Sequence, residues 1–531
     1  MLTKKYISSI KITTIILICS LLAIFINLYP HYYAFTYTPE GYHFSSQASW
    51  FDPWDINVYV ATIRWGQNHG FLVENMYDSV PNRSIVYYPL YSFTGAVFQN
   101  TNPFVLFYSL SIITTLFLVT AVTLILNKLF KDKKVVLIST LIMLFAGGLG
   151  FLVHPYHDSL DSSMTSFTLH SAMQRPHEGV AVSLLIIALS SFNFAVEAID
   201  KKKQLKLGVI SLGSLLLTLI FYPYYLLSYA LICSSVFVIN KKKISHKIIF
   251  FFIVTLLLGT IITLLMQYNL SFNDSFTGVI TQKLSNPTIG SLLSGFGVLN
   301  ISIIYYLVRY KKSSSLEKYL VVWIGTSILL SFLPLGFARF FLRAVFFPVV
   351  ILTVKLLMKV VEKFDQSTRK NLLLSLLLTV LILSSATSLN IFYKRVAEAN
   401  TSNPWYFITQ DNYQLLEFID EKLPPFSSIL SDYYFGNLIP AFSDHRVYFG
   451  HLIQTPDVKS RVAQIEKFYS CSFTEDEAKE FFKSQQIEFI IDYQADSSQA
   501  EEEGYSVEDC QYSFLEKIFS NESRAVFEIN P

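Results

Sequence analysis

The chain has 531 residues, 52% of them hydrophobic and 16% aromatic but only 15% charged, which excludes a string of ordinary soluble domains and a disordered chain alike. Four cysteines over that length exclude a disulfide-stapled secreted module. The formal charge of +2 conceals two opposite parts, because residues 1–393 hold 30 Lys+Arg against 15 Asp+Glu and residues 394–531 hold 11 against 24.

A helix that crosses a bilayer needs about 20 mostly apolar residues. Eleven such stretches are predicted, at 12–28, 104–126, 135–153, 180–198, 207–222, 224–238, 248–265, 289–307, 319–337, 342–357 and 372–393. The first follows Lys4, Lys5 and Lys11, is long for a signal-peptide core and lacks a small-x-small cleavage site, so it is expected to be retained. Lys and Arg collect in cytoplasmic loops, and the basic connections at 128–134, 200–206, 240–247, 309–318 and 362–370 alternate with connections that hold almost no lysine. The N-terminus is therefore expected inside the cell and, after an odd number of spans, the C-terminal part outside. The pair of stretches sharing FYPYYLL (221–227) can also be read as one broken helix with a re-entrant piece, which would reverse that parity. The expected organisation is a transmembrane domain over 1–393, with an external loop 29–103 that carries surface helices, and an extracytoplasmic α/β domain over 394–531.

Loop 29–103 is too long for a mere connector. Within it Ile56, Tyr59, Val60 and Ile63 recur at helical spacing beside Trp54 and Trp65, as for a helix lying on the bilayer surface. Asp52, Pro53 and Asp55 open that helix. Asp52 in the N-cap, proline at the first position and Asp55 against the helix dipole are sufficient structural reasons for all three. The same carboxylates also suit a general base that takes a proton from an acceptor hydroxyl, and either reading admits the other.

A second external loop, 154–176, carries His154, His157, Asp158 and Asp161, whose spacing matches no recognised zinc motif. Solvated loop positions are the expected reading, and a divalent metal the alternative. Arg175, Pro176, His177 and Glu178 then open the fourth membrane stretch, where Glu178 suits the helix dipole. Arg339 and Arg343 lie four residues apart in the apolar run 332–352 and are expected on one helix face near its external end. Snorkelling to the surface would explain them, and so would a buried phosphate, which matches the planar donor fork of arginine.

The acidic part reads as α/β. Thr455, Pro456 and Asp457 mark a helix start with Val458, Val462 and Ile465 along one face; Thr474 and Glu477 form a capping box ahead of the strand-like 487–492; and Leu415, Leu416, Ile419 and Leu423 mark a helix before the strand-like 427–430. Cys471 and Cys510 either pair or stay free, while Cys19 and Cys233 are expected to be packing residues.

Four segments together resemble the GT-C superfamily of integral-membrane glycosyltransferases: DINVYVATIRWG (55–66) with the downstream YYPLYSFTG, RPHEG (175–179), LPLGFARFFLRAVFFP (333–348) and NLIPAFSDHRVYFGH (437–451). The resemblance implies a sugar taken from a polyprenyl-phosphate donor and transferred with inversion to an extracytoplasmic glycan, lipid or protein. It also implies a loop acid as the base, matched best by Asp55 with Asp52 in reserve, and basic residues near the donor phosphate, matched by Arg339 and Arg343. Unlike members with adjacent acids, this chain separates Asp52 from Asp55 by Pro53 and Trp54. Arg175, His177 and Glu178 complete the candidate binding residues. Expected partners are the lipid-linked donor and membrane lipids, with no nucleic acid; neither a metal nor an oligomeric state is implied. A lipid-linked glycan flippase would show repeated halves or paired broken helices with midplane charges, and none is evident. A noncatalytic envelope-assembly scaffold would tolerate loss of Asp55.

Overall fold

The computed structural model describes residues 11–154, 156–240, 244–401, 403–492, 507–510 and 512–530. The chain folds as two compact units. The first comprises residues up to Pro30 with Tyr108–Met266 and Lys283–Val396, and the second comprises His31–Phe107, Gln267–Gln282 and Ala397–Pro531. The unit boundaries fall close to the composition boundaries, but residues 31–107 group with the C-terminal part and not with the membrane helices.

Among the described residues, nine helices are long and apolar enough to cross a membrane: Ile12–Thr36, Pro103–Leu129, Lys133–Val153, Pro176–Glu197, Lys201–Phe221, His246–Leu270, Ile289–Val308, Ala338–Val361 and Gln366–Ser384. The chain is a polytopic helical membrane protein. The other two predicted stretches are also helical but shorter, with 15 residues in Tyr225–Ile239 and 17 in Ser315–Ser331. At 1.5 Å per residue both fall short of the ~30 Å hydrocarbon thickness. The polar connections start helices as well as orienting them. Asp132, Asp200 and Asp365 each accept a backbone N–H from the first turn they precede, and Ser314 with Glu317 closes a capping box.

The core of the first unit reaches into loop 154–176. Phe167 is fully buried, with ring centroids 5.2 Å from Phe296 and 5.1 Å from Phe346. Asp161 is buried too, and so is neither solvated nor gathered with the histidines. Its carboxylate accepts from the backbone N–H of Gly148 at 2.7 Å and of Gly150 at 3.2 Å. Burial raises its pKa against those hydrogen bonds. No group of three or more potential metal ligands occurs among the described residues.

The second unit contains, in chain order, β1 (Tyr42–Phe44), α1 (Pro53–His69), α2 (Pro89–Val97), β2 (Phe407–Thr409), α3 (Gln410–Lys422), β3 (Ser428–Leu430), α4 (Tyr433–Phe442), β4 (Arg446–Val447), α5 (Val458–Tyr469), α6 (Glu475–Gln485), β5 (Phe489–Ile491), β6 (Leu515–Ser520) and β7 (Ala525–Ile529). Five strands form one sheet in the order β4-β3-β5-β7-β6, with β4, β3 and β5 parallel and β7 antiparallel to both its neighbours. β1 pairs separately with β2, Tyr42 opposite Thr409.

The apolar face of α1 does not lie open to a bilayer. Ile56, Tyr59, Val60 and Ile63 are all at most 1% exposed, because α2 and α4 cover them. Apolar surface is exposed instead along α2 and just beyond it, at Phe93, Val97 and Phe98. The α6 capping box forms as expected, while α5 starts later than predicted, with Asp457 and not Thr455 at its N-cap. Cys471 and Cys510 form a disulfide; Cys19 and Cys233 are buried.

A buried ion pair ties the second unit together. Arg461 donates to Asp78 and to the Tyr448 carbonyl, both at 2.6 Å, and the second Asp78 oxygen accepts from Ser275 at 2.5 Å. The three segments of the unit thus meet at one carboxylate. Arg461→Ala strands that carboxylate, so denaturant unfolding of this unit should show a loss of about 3–5 kcal/mol. A loss below about 1 kcal/mol would show that the pair contributes little.

Candidate functional site

Two polar constellations stand out, one in each unit. In the second unit, Asp52 and Asp55 lie at the start of α1. Asp52 occupies the N-cap at φ 41°, ψ 68°, directly before Pro53, and makes no capping hydrogen bond. A non-glycine residue with positive φ ahead of proline is strained, and such strain persists only where the surroundings impose it. The expected capping role of its side chain is therefore absent.

Asp55 sits in the first helical turn and is held by a residue of the distant segment 437–451. His451 Nε2 lies 2.9 Å from Asp55 Oδ1. The other ring nitrogen, Nδ1, accepts the backbone N–H groups of Ile453 and Gln454, each at 3.1 Å. With Nδ1 occupied as an acceptor, the ring proton resides on Nε2 and is donated to Asp55. Oδ2 faces the Tyr59 hydroxyl only loosely, at 3.4 Å. The histidine is 2% exposed in its side chain and the carboxylate 20%, so the acid is held by a buried partner while itself partly exposed.

The backbone explains how His451 reaches Asp55. A Cβ at Gly436 would stand 1.9 Å from the Phe449 carbonyl oxygen, and one at Gly450 2.1 Å from that of Gly436. Only paired glycines allow α4 and the 449–451 segment to approach so closely. Asn437 then joins the parts. Its amide donates to the Gly450 carbonyl at 3.0 Å and to the Trp54 carbonyl at 3.2 Å, and its Oδ1 accepts from Asn57 at 2.6 Å. Thr455, displaced from its expected capping role, accepts the N–H groups of Gly450 and His451. Tyr433 senses both acids, because burial first, and then the charges of Asp55 and Asp52, raise its phenol pKa.

In the first unit Glu178 is 1% exposed and collects donors. Arg343 Nη2 lies 2.7 Å away, Thr165 Oγ1 3.2 Å and Arg175 Nη1 3.7 Å, and Ser166 adds a hydrogen bond. Arg343 also donates to the Tyr224 hydroxyl at 3.2 Å and lies over the rings of Phe340 and Tyr222. The His177 ring stands 6.1 Å from that of Tyr222. Arg339 does not share a face with Arg343. The run Ala338–Leu342 is a 3₁₀ helix with Arg343 at its C-cap, and at three residues per turn, positions four apart diverge by about 120°. Arg339 is half-buried and Arg343 buried. Two guanidinium groups against one carboxylate leave an excess of one positive charge around Glu178.

No protein-family model matches the chain, and no curated protein matches it in sequence. Solved structures do match. The oligosaccharyltransferase of Archaeoglobus fulgidus tethered to an acceptor peptide aligns over 91% of this chain and 69% of its own, with TM-score 0.58 and 12% identity. ArnT from Cupriavidus metallidurans in the apo state aligns over 97% of both chains, with TM-score 0.54 and 10% identity. The chain has the GT-C fold. ArnT bound to undecaprenyl phosphate aligns over 89% of this chain and 96% of its own, with TM-score 0.50 and 11% identity. At these identities the GT-C likeness establishes the architecture, and the chemistry rests on the residues just described.

The histidine was visible in the sequence only as part of FGH (449–451), and a Gly-His pair carries no general signal. Its role depends on a contact across 396 positions. If Gly436 and Gly450 serve to seat His451, Gly436→Ala should lower activity at least tenfold while the rest of the second unit stays folded. Activity together with protease resistance of the purified protein measures both.

Proposed function

We propose that the protein is a membrane glycosyltransferase that moves a hexosyl or pentosyl group from a polyprenyl-phosphate donor to an extracytoplasmic acceptor, with Asp55 as general base. The observation that carries the proposal is the Asp55–His451 pair at the head of a loop helix in a GT-C fold. Donation from Nε2 to Oδ1 orients the carboxylate, and Oδ2 is the oxygen assigned to take the proton. As the acceptor oxygen attacks the anomeric carbon, its proton passes to Asp55. The glycosidic C–O bond to phosphate breaks, and its electron pair leaves with the polyprenyl phosphate. Attack opposite the leaving group gives inversion. His451 is a positioning residue and Asp52 the neighbouring acid.

The excess positive charge around Glu178 suits the donor phosphate. Arg343 and Arg175 are arranged by Glu178 and Tyr224, with Arg339 and His177 nearby in sequence as further donors. The undecaprenyl phosphate carried by the ArnT structure supports a polyprenyl carrier here.

The alternating basic loops support a cytoplasmic N-terminus and an extracytoplasmic second unit. The Cys471–Cys510 disulfide agrees, because such bonds persist in oxidising compartments. Lys459→Cys and Lys312→Cys provide the check, since the natural thiols are buried or paired. An impermeant maleimide should label position 459 in intact cells and position 312 only after lysis. Labelling of both from one side would overturn the orientation.

Asp55→Asn should reduce kcat by about 10²- to 10⁴-fold without unfolding the protein. A loss below about tenfold, or a larger one for Asp52→Asn, would move the base elsewhere. His451→Ala should lower kcat and leave donor KM nearly unchanged. Arg343→Lys keeps the charge but loses the planar fork, so donor KM should rise at unchanged thermal stability. Unchanged kinetics with lowered stability would make the pair with Glu178 structural only.

A further inference from the structure

The second unit contains a cavity of about 510 Å³ that glycosyl transfer at Asp55 leaves without a role. That volume lies within the range of small-molecule sites, ~300–1,000 Å³. Trp65 and His69 from the last turns of α1 line it, with Glu74 and Ser84 from the loop that follows and Phe426 and Arg446 from the C-terminal part. Fourteen helical residues separate His69 from Asp55, about 21 Å at 1.5 Å per residue. The cavity is thus at the far end of the helix whose first turn holds the acid.

Its aromatic wall is held in place. The ring centroids of Trp65 and His69 are 4.3 Å apart, and Phe426 packs edge-on to His69 at 4.6 Å. The indole N–H donates to the Leu72 carbonyl at 2.6 Å, which fixes the plane of Trp65. Phe426 adopts φ +67°, a conformation a bulky side chain takes only under constraint, and its N–H donates to the Asp444 carbonyl at 3.1 Å.

The polar wall is balanced in charge. Arg446 donates from Nη2 to Glu74 at 2.7 Å and from Nη1 to the Phe426 carbonyl at 3.2 Å. His69 meets Asp444 at 3.0 Å. Arg446 is 8% exposed, and its Nε is buried without a hydrogen-bond partner among the described residues. Because Glu74 and Arg446 neutralise each other, the lining has no surplus charge to select a phosphate or a cation. It offers aromatic faces, a charge-assisted acceptor and a charge-assisted donor. That set complements a sugar ring, whose C–H faces are apolar and whose hydroxyls both donate and accept.

We propose that this cavity binds a neutral saccharide, a unit of a glycan chain lying away from the reacting end. The inference shares with the transferase reading only the glycan nature of the ligand, and it is tested without donor. The full-length protein in nanodiscs is titrated with maltohexaose, cellohexaose, chitohexaose and mannohexaose, and separately with inorganic phosphate, by calorimetry and tryptophan fluorescence. Saturable binding of at least one saccharide is expected. Ser84→Trp, which fills the cavity, and Glu74→Gln, which removes the charged acceptor, should each weaken it at least tenfold. Asp55→Asn should leave it unchanged. Should Ser84→Trp fail to fold, Glu74→Gln decides alone. The proposal is overturned if no saccharide binds, if binding survives the variants, or if phosphate binds as tightly as any saccharide. Saccharide binding lost with Asp55→Asn would assign it to the carboxylate site and also overturn the proposal. Absent saccharide binding beside an inactive Asp55→Asn removes this site and keeps the transferase; binding beside a fully active Asp55→Asn does the reverse.

Discussion

The hydrogen bond between His451 and Asp55 joins side chains 396 positions apart, and much of the second unit is arranged so that it can form. The acid comes from the start of α1 and the imidazole from a segment that must pass within van der Waals contact of α4. Side chains at 436 or 450 would forbid that passage. Asn437 then spans from the Trp54 carbonyl to the Gly450 carbonyl, so the two partners are positioned by one amide. Hydrogen bonds to backbone thus fix where the carboxylate and the imidazole stand.

The first unit faces a different constraint. Arginine in an apolar helix is expensive unless an anion meets it. The anion that meets Arg343 is Glu178, at 2.7 Å, and not a residue of its own helix. Burying one carboxylate beside two guanidinium groups offsets part of that cost and keeps a residual positive charge. Ser166 and Ala344, on the segments that frame this cluster, both adopt positive φ, so the backbone bends locally to make the arrangement.

Local signals were legible and distant ones were not. The membrane helices follow from apolar runs of about 20 residues, and the Thr474 capping box and strands β3 and β5 from still shorter patterns. The covering of α1 could not be read that way. Ile56 and Ile63 have the same spacing whether they meet lipid or protein, and only the presence of α4 decides. Likewise, a separation of four positions between Arg339 and Arg343 means one face in an α-helix but not in the 3₁₀ helix found there. Asp161 reads as a loop acid because nothing local reports the two amide groups of 148 and 150 that draw it inward. Paired cysteines were countable, but their pairing was not.

The pairing of β1 with β2 brings residues 42–44 against 407–409. A ribosome adds about 5–20 residues each second, so roughly 20–70 s pass between the appearance of the first strand and that of its partner. During that interval the apolar side chains of α1 have no α4 to cover them. A helix whose apolar face ends buried in protein is therefore made long before one of the two elements that bury it, and only α2 is at hand to cover it in the meantime.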